Sequence, residues 1–144
     1  MDRRELLGVL GVGAAGLFAL RGGPARADQE EPLGDPIKTL GECARICDEA
    51  AQHCLDRLRA GGKHAEVHAK AHRAVMDSMA FCSLTATLMA RKSPMACYAH
   101  QGAAAACNVS AEACEPCHGD IMKECARLCR ECESLCRQMV TGIR

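Results

Sequence analysis

The sequence predicts an all-α protein that folds as an antiparallel up-down-up-down four-helix bundle with a cysteine-lined core. First, four cysteines near the C-terminus are spaced four, three and four residues apart, as on the buried face of an α-helix. They are Cys125, Cys129, Cys132 and Cys136. Second, prolines and glycines divide most of the chain into four segments of helical length. Third, aromatic residues make up only 2% of the chain and β-branched residues are scarce, so no segment is typical of a strand.

The first 27 residues have the pattern of an export signal. Charged residues precede a glycine-rich apolar run over residues 6–20, which is shorter than the roughly 20 residues that a membrane span needs. Residues 24–27, Pro-Ala-Arg-Ala, then offer a small-x-small site for cleavage. The adjacent Arg3 and Arg4 favour the twin-arginine route. We therefore expect residues 1–27 to be a cleavable export signal and the mature protein to be periplasmic. An ordinary secretory signal or an uncleaved anchor is the alternative.

Cleavage would leave residues 28–144 as one small domain. This part has fourteen basic and sixteen acidic residues, a balance that favours neither nucleic acid nor an anionic membrane surface as a partner. It contains all 12 cysteines, and its only aromatic residues are Phe81 and Tyr98. The core must therefore be filled mainly by alanine, leucine, methionine and cysteine.

Prolines and glycines bound the first two helices. Asp35 and Pro36 are typical of an N-cap followed by a first-turn proline, and Gly61 and Gly62 end the helix that begins there. The second helix is predicted over residues 63–92.

The third helix is predicted to begin with Ser93 as its cap and to end between Cys114 and Gly119. Asp120 is the predicted cap of the fourth, which continues to residues 141–142. Four long helices with short connections pack as an up-down-up-down bundle.

The inward faces of these helices carry sulfur and imidazole along the whole bundle. The candidate metal ligands are Cys43, Cys47, Cys54, Cys82, Cys97, Cys107, Cys114, Cys117, Cys125, Cys129, Cys132, Cys136, His64, His68, His118 and Met122. Antiparallel packing predicts one end with Cys43, Met89, Met95, Cys97, Cys136 and Met139, and an opposite end with Cys54, His64, His68, Cys114, Cys117, His118, Met122 and Cys125.

Thiolates and thioethers select soft metal ions, above all Cu(I), with Zn(II) as the borderline competitor. Cysteines three or four residues apart on one helix have Cβ atoms roughly 5–6 Å apart, a span that a two-coordinate S–Cu–S unit can close. Zinc instead needs four converging ligands, with sulfur at about 2.3 Å. A continuous series of pairs therefore favours many Cu(I) ions that share sulfurs, each ion cancelling one buried thiolate charge.

Two other interpretations remain open. Twelve cysteines in an exported domain are also typical of a disulfide-stapled structural or redox protein. Against this, helix axes lie about 8–10 Å apart, whereas a disulfide needs Cα atoms within roughly 7 Å. The second interpretation is a zinc or broad soft-metal detoxification protein. No residue set is typical of a hydrolytic or nucleophilic centre, so we do not predict an enzyme.

The spacing of the cysteines resembles that of the bacterial copper storage proteins. The resemblance rests on residues 125–136, on Cys107, Cys114 and Cys117, and on Cys43, Cys47 and Cys54 of the first helix. It implies a lumen lined by cysteines and filled with many Cu(I) ions per chain, with histidine and methionine ligands near an open end. It also implies a twin-arginine signal, a homotetramer, and copper donor or recipient proteins as partners. The sequence departs from the family pattern at Ala111 and His118, where a cysteine would be expected.

The histidines are weaker signals than the cysteines. His64, His68 and His72 lie one turn apart, which is metal-ligand spacing, but a water-facing helix start explains His72 equally well. Because the walls of a packed bundle are closed, we expect metal to enter at an end, and we favour the end with His64, His68, His118 and Met122.

Two further histidines lie on the first and third helices. His53 is adjacent to Cys54, and we expect it to point outward. His100 is on the inward face of the third helix, where a core residue and a metal ligand are equally consistent with its position.

Overall fold

A computed structural model describes residues 35–142, and the predicted export signal lies outside these residues. The four helices are α1 (Pro36–Ala60), α2 (Ala65–Ala90), α3 (Ala96–Cys114) and α4 (Asp120–Thr141). Helix α1 packs against α2 and α4, and α3 packs against the same two helices, so helices that follow one another in the chain are neighbours in space. This arrangement confirms the predicted all-α, up-down-up-down bundle. None of these helices combines the length and apolarity that a membrane crossing requires.

Helix α1 begins and ends at the capping and helix-breaking residues that the sequence predicts. The Asp35 carboxylate accepts a hydrogen bond of 3.1 Å from the backbone N–H of Ile37, and Pro36 occupies the first turn. At the other end Gly61 adopts a φ of 69°, and its N–H donates to the carbonyl of Leu58 at 3.1 Å. A residue without a Cβ takes this left-handed conformation at little cost, so the glycine stops the helix.

The starts of α3 and α4 differ from the prediction. Ser93 is not the cap of α3: its hydroxyl accepts from the N–H of Met95 at 3.2 Å and its carbonyl from the N–H of Ala96 at 3.1 Å. It therefore forms a turn that precedes the helix. Asp120 is the first residue of α4 rather than its cap, because Gly119, with a φ of 117°, makes the sharp turn into the helix.

The core is built from small and sulfur-bearing side chains. All the cysteines are buried except Cys97, which is half-buried. Phe81 and Tyr98 lie outside the core, with 40% and 64% of their surfaces exposed. On the α2–α3 side the buried hydroxyls of Ser78 and Ser110 are hydrogen-bonded at 2.7 Å. Helix α2 contributes only one thiol, so most of the core sulfur comes from α1, α3 and α4.

Candidate metal centre

Eight buried thiols form a continuous series along the bundle axis. We call these eight the thiol ladder. Its Sγ–Sγ distances are 3.6 Å for Cys132–Cys82, 3.6 Å for Cys82–Cys107, 3.9 Å for Cys107–Cys43, 4.0 Å for Cys43–Cys129, 3.7 Å for Cys129–Cys47, 3.9 Å for Cys47–Cys125 and 3.9 Å for Cys125–Cys114. All the cysteines, including these eight, are free thiols, which argues against the disulfide-stapled interpretation.

Every one of these ladder contacts joins two different helices. Cysteines on one helix face, which the sequence predicts to pair, also come close: the sulfurs of Cys43 and Cys47 on α1 lie within 4.8 Å of each other. Side chains on one helix stand roughly parallel, about 5–6 Å apart at Cβ. Side chains from facing stripes converge on the axis, so their sulfurs come closer together. An ion that bridges two successive thiols of the ladder therefore links two helices.

The densest part of the ladder surrounds Cys43. Its sulfur and those of Cys82, Cys107 and Cys132 all lie within 4.8 Å of one another, and it belongs to a second group with Cys47 and Cys129. The prediction that Cys43 lies at an end was wrong. Helix α1 begins at Pro36, about two turns earlier, so Cys43 is at mid-core.

The three histidines predicted as ligands all lie at one end of the bundle, which we call the histidine end. Here the Sγ of Cys54 lies 3.9 Å from the Sδ of Met122, and both side chains are fully buried. His68 is 1% exposed, and neither of its ring nitrogens has a hydrogen-bond partner within residues 35–142. The imidazoles of His64 and His118 lie edge to face, with ring centroids 5.2 Å apart and an interplanar angle of 78°.

His64 and His118 are exposed, although the sequence placed both on inward faces. The reason is that His64 precedes the first residue of α2 and His118 follows the last residue of α3, so helical periodicity fixes neither of them. His53 also differs from its predicted outward orientation. It is half-buried, with its ring centroid 5.6 Å from that of His68 and its Nε2 3.2 Å from the carbonyl oxygen of His118. No sequence pattern indicated this contact.

Two of the predicted ligands outside the thiol ladder, Cys117 and Cys97, make no hydrogen bond with another sulfur in the described residues. The Cys117 thiol is buried and donates to the carbonyls of Ala113 at 3.5 Å and Val67 at 3.7 Å. Burial raises the pKa of this thiol. Cys97 is half-buried near the start of α3 and makes no side-chain hydrogen bond within the described residues.

The opposite end of the bundle contains an imidazole and a thiol in contact, and we call it the Cys136 end. The Nδ1 of His100 lies 3.4 Å from the Sγ of Cys136, and both residues are buried. The half-buried Met89 packs against the core, and Met139 is half-buried near the end of α4. Met95, which the sequence placed at this end, is 54% exposed.

Hydrogen bonding between sulfurs divides the ladder into thiols with lowered and raised pKa values. Hydrogen bonding, chiefly with Cys129, lowers the pKa of Cys107 to about 5, and a bond with Cys114 lowers the pKa of Cys125. Hydrogen bonds with neighbouring thiols raise the pKa values of Cys129 and Cys132. The thiols of the ladder therefore differ in how readily each loses its proton.

Outside the ladder, pKa values are shifted mainly by loss of solvation on burial rather than by hydrogen bonding between sulfurs. Burial raises the pKa of Cys54 to about 12. It also lowers the pKa values of His68 and His100, so both imidazoles stay neutral and keep the lone pair that a metal ion needs.

A helical bundle whose axis is a series of free thiols belongs to the class of soft-metal-binding proteins. Comparison with known proteins defines the family. The model of the Csp family, described as copper storage protein, matches residues 29–141, and the chain belongs to this family. This confirms the resemblance seen in the cysteine spacing.

Two solved structures have the same fold. The crystal structure of the Nmul_A1745 protein from Nitrosospira multiformis is 33% identical, with a TM-score of 0.65 over 76% of this chain and 94% of that chain. The Cu(I)-bound copper storage protein BsCsp3 is 22% identical, with a TM-score of 0.66 over 73% of this chain and 94% of that chain. A search of the curated proteins gave no match.

Proposed function

We propose that this chain stores copper as many Cu(I) ions held along the bundle axis by cysteine thiolates. The thiol ladder carries this proposal, because each of its sulfurs lies within 4.0 Å of another. Soft Cu(I) binds well to thiolate ligands, so neighbouring ions can share a sulfur along such a series. Family membership and the fold shared with the Cu(I)-bound BsCsp3 support the same function.

Charge balance explains how so many thiolates can stay buried. An isolated buried thiolate is costly, but each Cu(I) carries one positive charge and cancels one thiolate. A filled ladder is therefore close to neutral, and this lets the same core hold either protons or copper ions. Because storage needs no bond-making chemistry, we assign no catalytic role to any residue.

One part of the ladder also suits zinc. A tetrahedral ZnS4 unit has sulfurs about 3.8 Å apart, given Zn–S bonds of about 2.3 Å. The quartet of Cys43, Cys82, Cys107 and Cys132 is close to this size. The other compact group in residues 35–142 has three thiols and shares Cys43 with the quartet. Zinc would therefore occupy one or two positions, and copper many.

Anaerobic titration with Cu(I) in the presence of a chromogenic chelator tests the proposal. Thiolates that share ions should hold on the order of a dozen Cu(I) ions per chain. A parallel titration with Zn(II) should saturate at one or two ions, and added Cu(I) should displace them. If Cu(I) also saturated at one or two equivalents, the storage function would be wrong.

The site also includes residues outside the ladder. We propose that Cys54, Met122 and His68 are ligands at the histidine end, with the exposed His64 and His118 as the first groups that an incoming ion meets. Their decreasing exposure toward the core supports this order. Cys97 and Cys117 are proposed as ligands on the resemblance to the family alone.

We further propose that residues 1–27 direct twin-arginine export to the periplasm and that the mature chain forms a homotetramer. The sequence pattern and the resemblance to the family support these proposals. Exposed apolar side chains on α2 and α3 also favour self-association: Phe81, Leu84 and Val109 are 40%, 49% and 50% exposed. Cell fractionation and light scattering of the mature protein test the location and the tetramer.

A further inference from the structure

The contact between His100 and Cys136 has the geometry of a metal site. With bond lengths of about 2.0 Å to nitrogen and 2.3 Å to sulfur, one ion can bind both atoms at an angle of about 105°. That angle follows from the 3.4 Å between Nδ1 and Sγ, which are on different helices, α3 and α4. A small outward movement of either side chain would open the angle to the 120° of three-coordinate Cu(I).

Packing alone does not account for an imidazole at this position. His100 is 1% exposed, and its Nε2 has no hydrogen-bond partner within the described residues. A buried polar atom without a partner is destabilising, and an apolar side chain of similar size would avoid this cost. The Nδ1 nitrogen faces a sulfur, and an N–H···S hydrogen bond is weak compensation for that cost.

We propose that His100 and Cys136 bind a Cu(I) ion together, as a mixed imidazole–thiolate site that ends the row of metal positions at the Cys136 end. The inference rests on the proposed copper storage function and adds an imidazole ligand at the end opposite to that of His68. Cys132 supplies the third ligand, because it lies one turn before Cys136 on the same face of α4 and its sulfur is 3.6 Å from that of Cys82. The new site is thereby continuous with the ladder.

Soft donors also lie between this site and solvent. Cys97 is one turn before His100 on α3, and Met139 is one turn after Cys136 on α4; both are half-buried. Thiol and thioether groups of this kind bind Cu(I) transiently as it passes. When the site fills, Cys136 loses its proton to solvent, the imidazole binds in its neutral form, and copper stays Cu(I).

Nitrogen NMR of protein labelled with ¹⁵N-histidine tests the site directly. Cu(I) is added anaerobically to the full mature chain, and the His100 resonances are identified by their absence in His100→Phe. We expect the Nδ1 resonance to leave the range of neutral imidazole as the protein approaches saturation, and His100→Phe to hold about one ion fewer. The matched control is His72→Phe, which removes a half-buried imidazole on α2 and should bind as many ions as the parent.

The outcomes separate this inference from the storage function. If the parent bound on the order of a dozen ions while the Nδ1 resonance stayed in place, the His100 site would be wrong and storage would stand. If the chain saturated at one or two ions and the Nδ1 resonance moved, the site would stand and storage would be wrong. The parent spectrum alone decides the question even if His100→Phe does not fold.

Discussion

Cys129 and Cys117 are two buried cysteines whose sulfurs contact different kinds of atoms. The Cys129 sulfur lies 4.0 Å from that of Cys43 and 3.7 Å from that of Cys47. The Cys117 thiol instead donates to two backbone carbonyls. Both thiols are buried, so a cysteine's contribution to metal binding depends on what its sulfur touches.

This difference predicts unequal effects of serine substitution. Cys129→Ser should lower Cu(I) capacity by about two ions, because two shared positions lose a soft ligand. Cys117→Ser should cost less, about one ion at most, since its thiol lies outside the shared series and a serine hydroxyl can donate to the same carbonyls. Chelator titration of both variants measures the effect. Equal losses would mean that Cys117 leaves its backbone partners when copper binds.

The pKa shifts of the ladder predict that loading releases protons. Hydrogen bonding raises the pKa values of Cys129 and Cys132, so both are protonated near neutral pH and must lose a proton to bind copper. Hydrogen bonding lowers the pKa of Cys107, so this thiol gives up its proton more readily. We expect proton release to accompany copper loading, measured with an indicator dye in weak buffer. Because protons compete with copper, the apparent affinity should fall as pH falls.

The four helices differ in how many ladder thiols they contribute, and therefore in how strongly bound copper can hold each of them in place. The contacts of the ladder join α1, α3 and α4 several times, whereas α2 takes part only through Cys82. Elsewhere on its core-facing side α2 carries alanine, aliphatic and hydroxyl residues such as Ser78, and one imidazole, His68, at the histidine end. Copper should therefore hold α2 less firmly than the other three helices.

Hydrogen exchange of the copper-loaded Cys82→Ser variant tests this difference. In the parent, ligands that bind only the folded state should slow exchange in all four helices. In Cys82→Ser the slowing should weaken most in α2 around residue 82 and persist in α1 and α4, because α2 then keeps only His68 as a ligand. Cys54→Ser, which changes α1 instead, is the control. Uniform loss of protection in the Cys82 variant would contradict the argument.

Some elements of this fold were predictable because local chemistry decides them. Pro36 and Gly61 bound α1 by conformational preference alone, and the spacing of the cysteines identified the buried faces. The contacts between sulfurs were not predictable in the same way, since they depend on the rotation and offset of packed helices. His64 and His118 were misplaced because they lie beyond helix ends, where periodicity no longer applies.

The whole molecule has two chemically different ends, and this asymmetry predicts the route of copper. The exposed pair of imidazoles is at the histidine end, while the Cys136 end offers an exposed thioether at Met95. Replacing His64 and His118 with alanine should slow Cu(I) loading and removal several-fold and leave capacity nearly unchanged. Stopped-flow mixing with a Cu(I)–chelator complex measures the rates. Met95→Ala is the matched control, and slowing in that variant alone would place the route at the other end.

No step along the thiol ladder exceeds 4.0 Å. A bound ion can thus reach the neighbouring position by exchanging one sulfur for the next, without ever being released as a free ion. Neighbouring ions cannot pass one another on such a path, so movement is single-file. If exchange takes place at one end only, the ion bound last is the first to leave, and the copper deepest in the bundle is the oldest in the store.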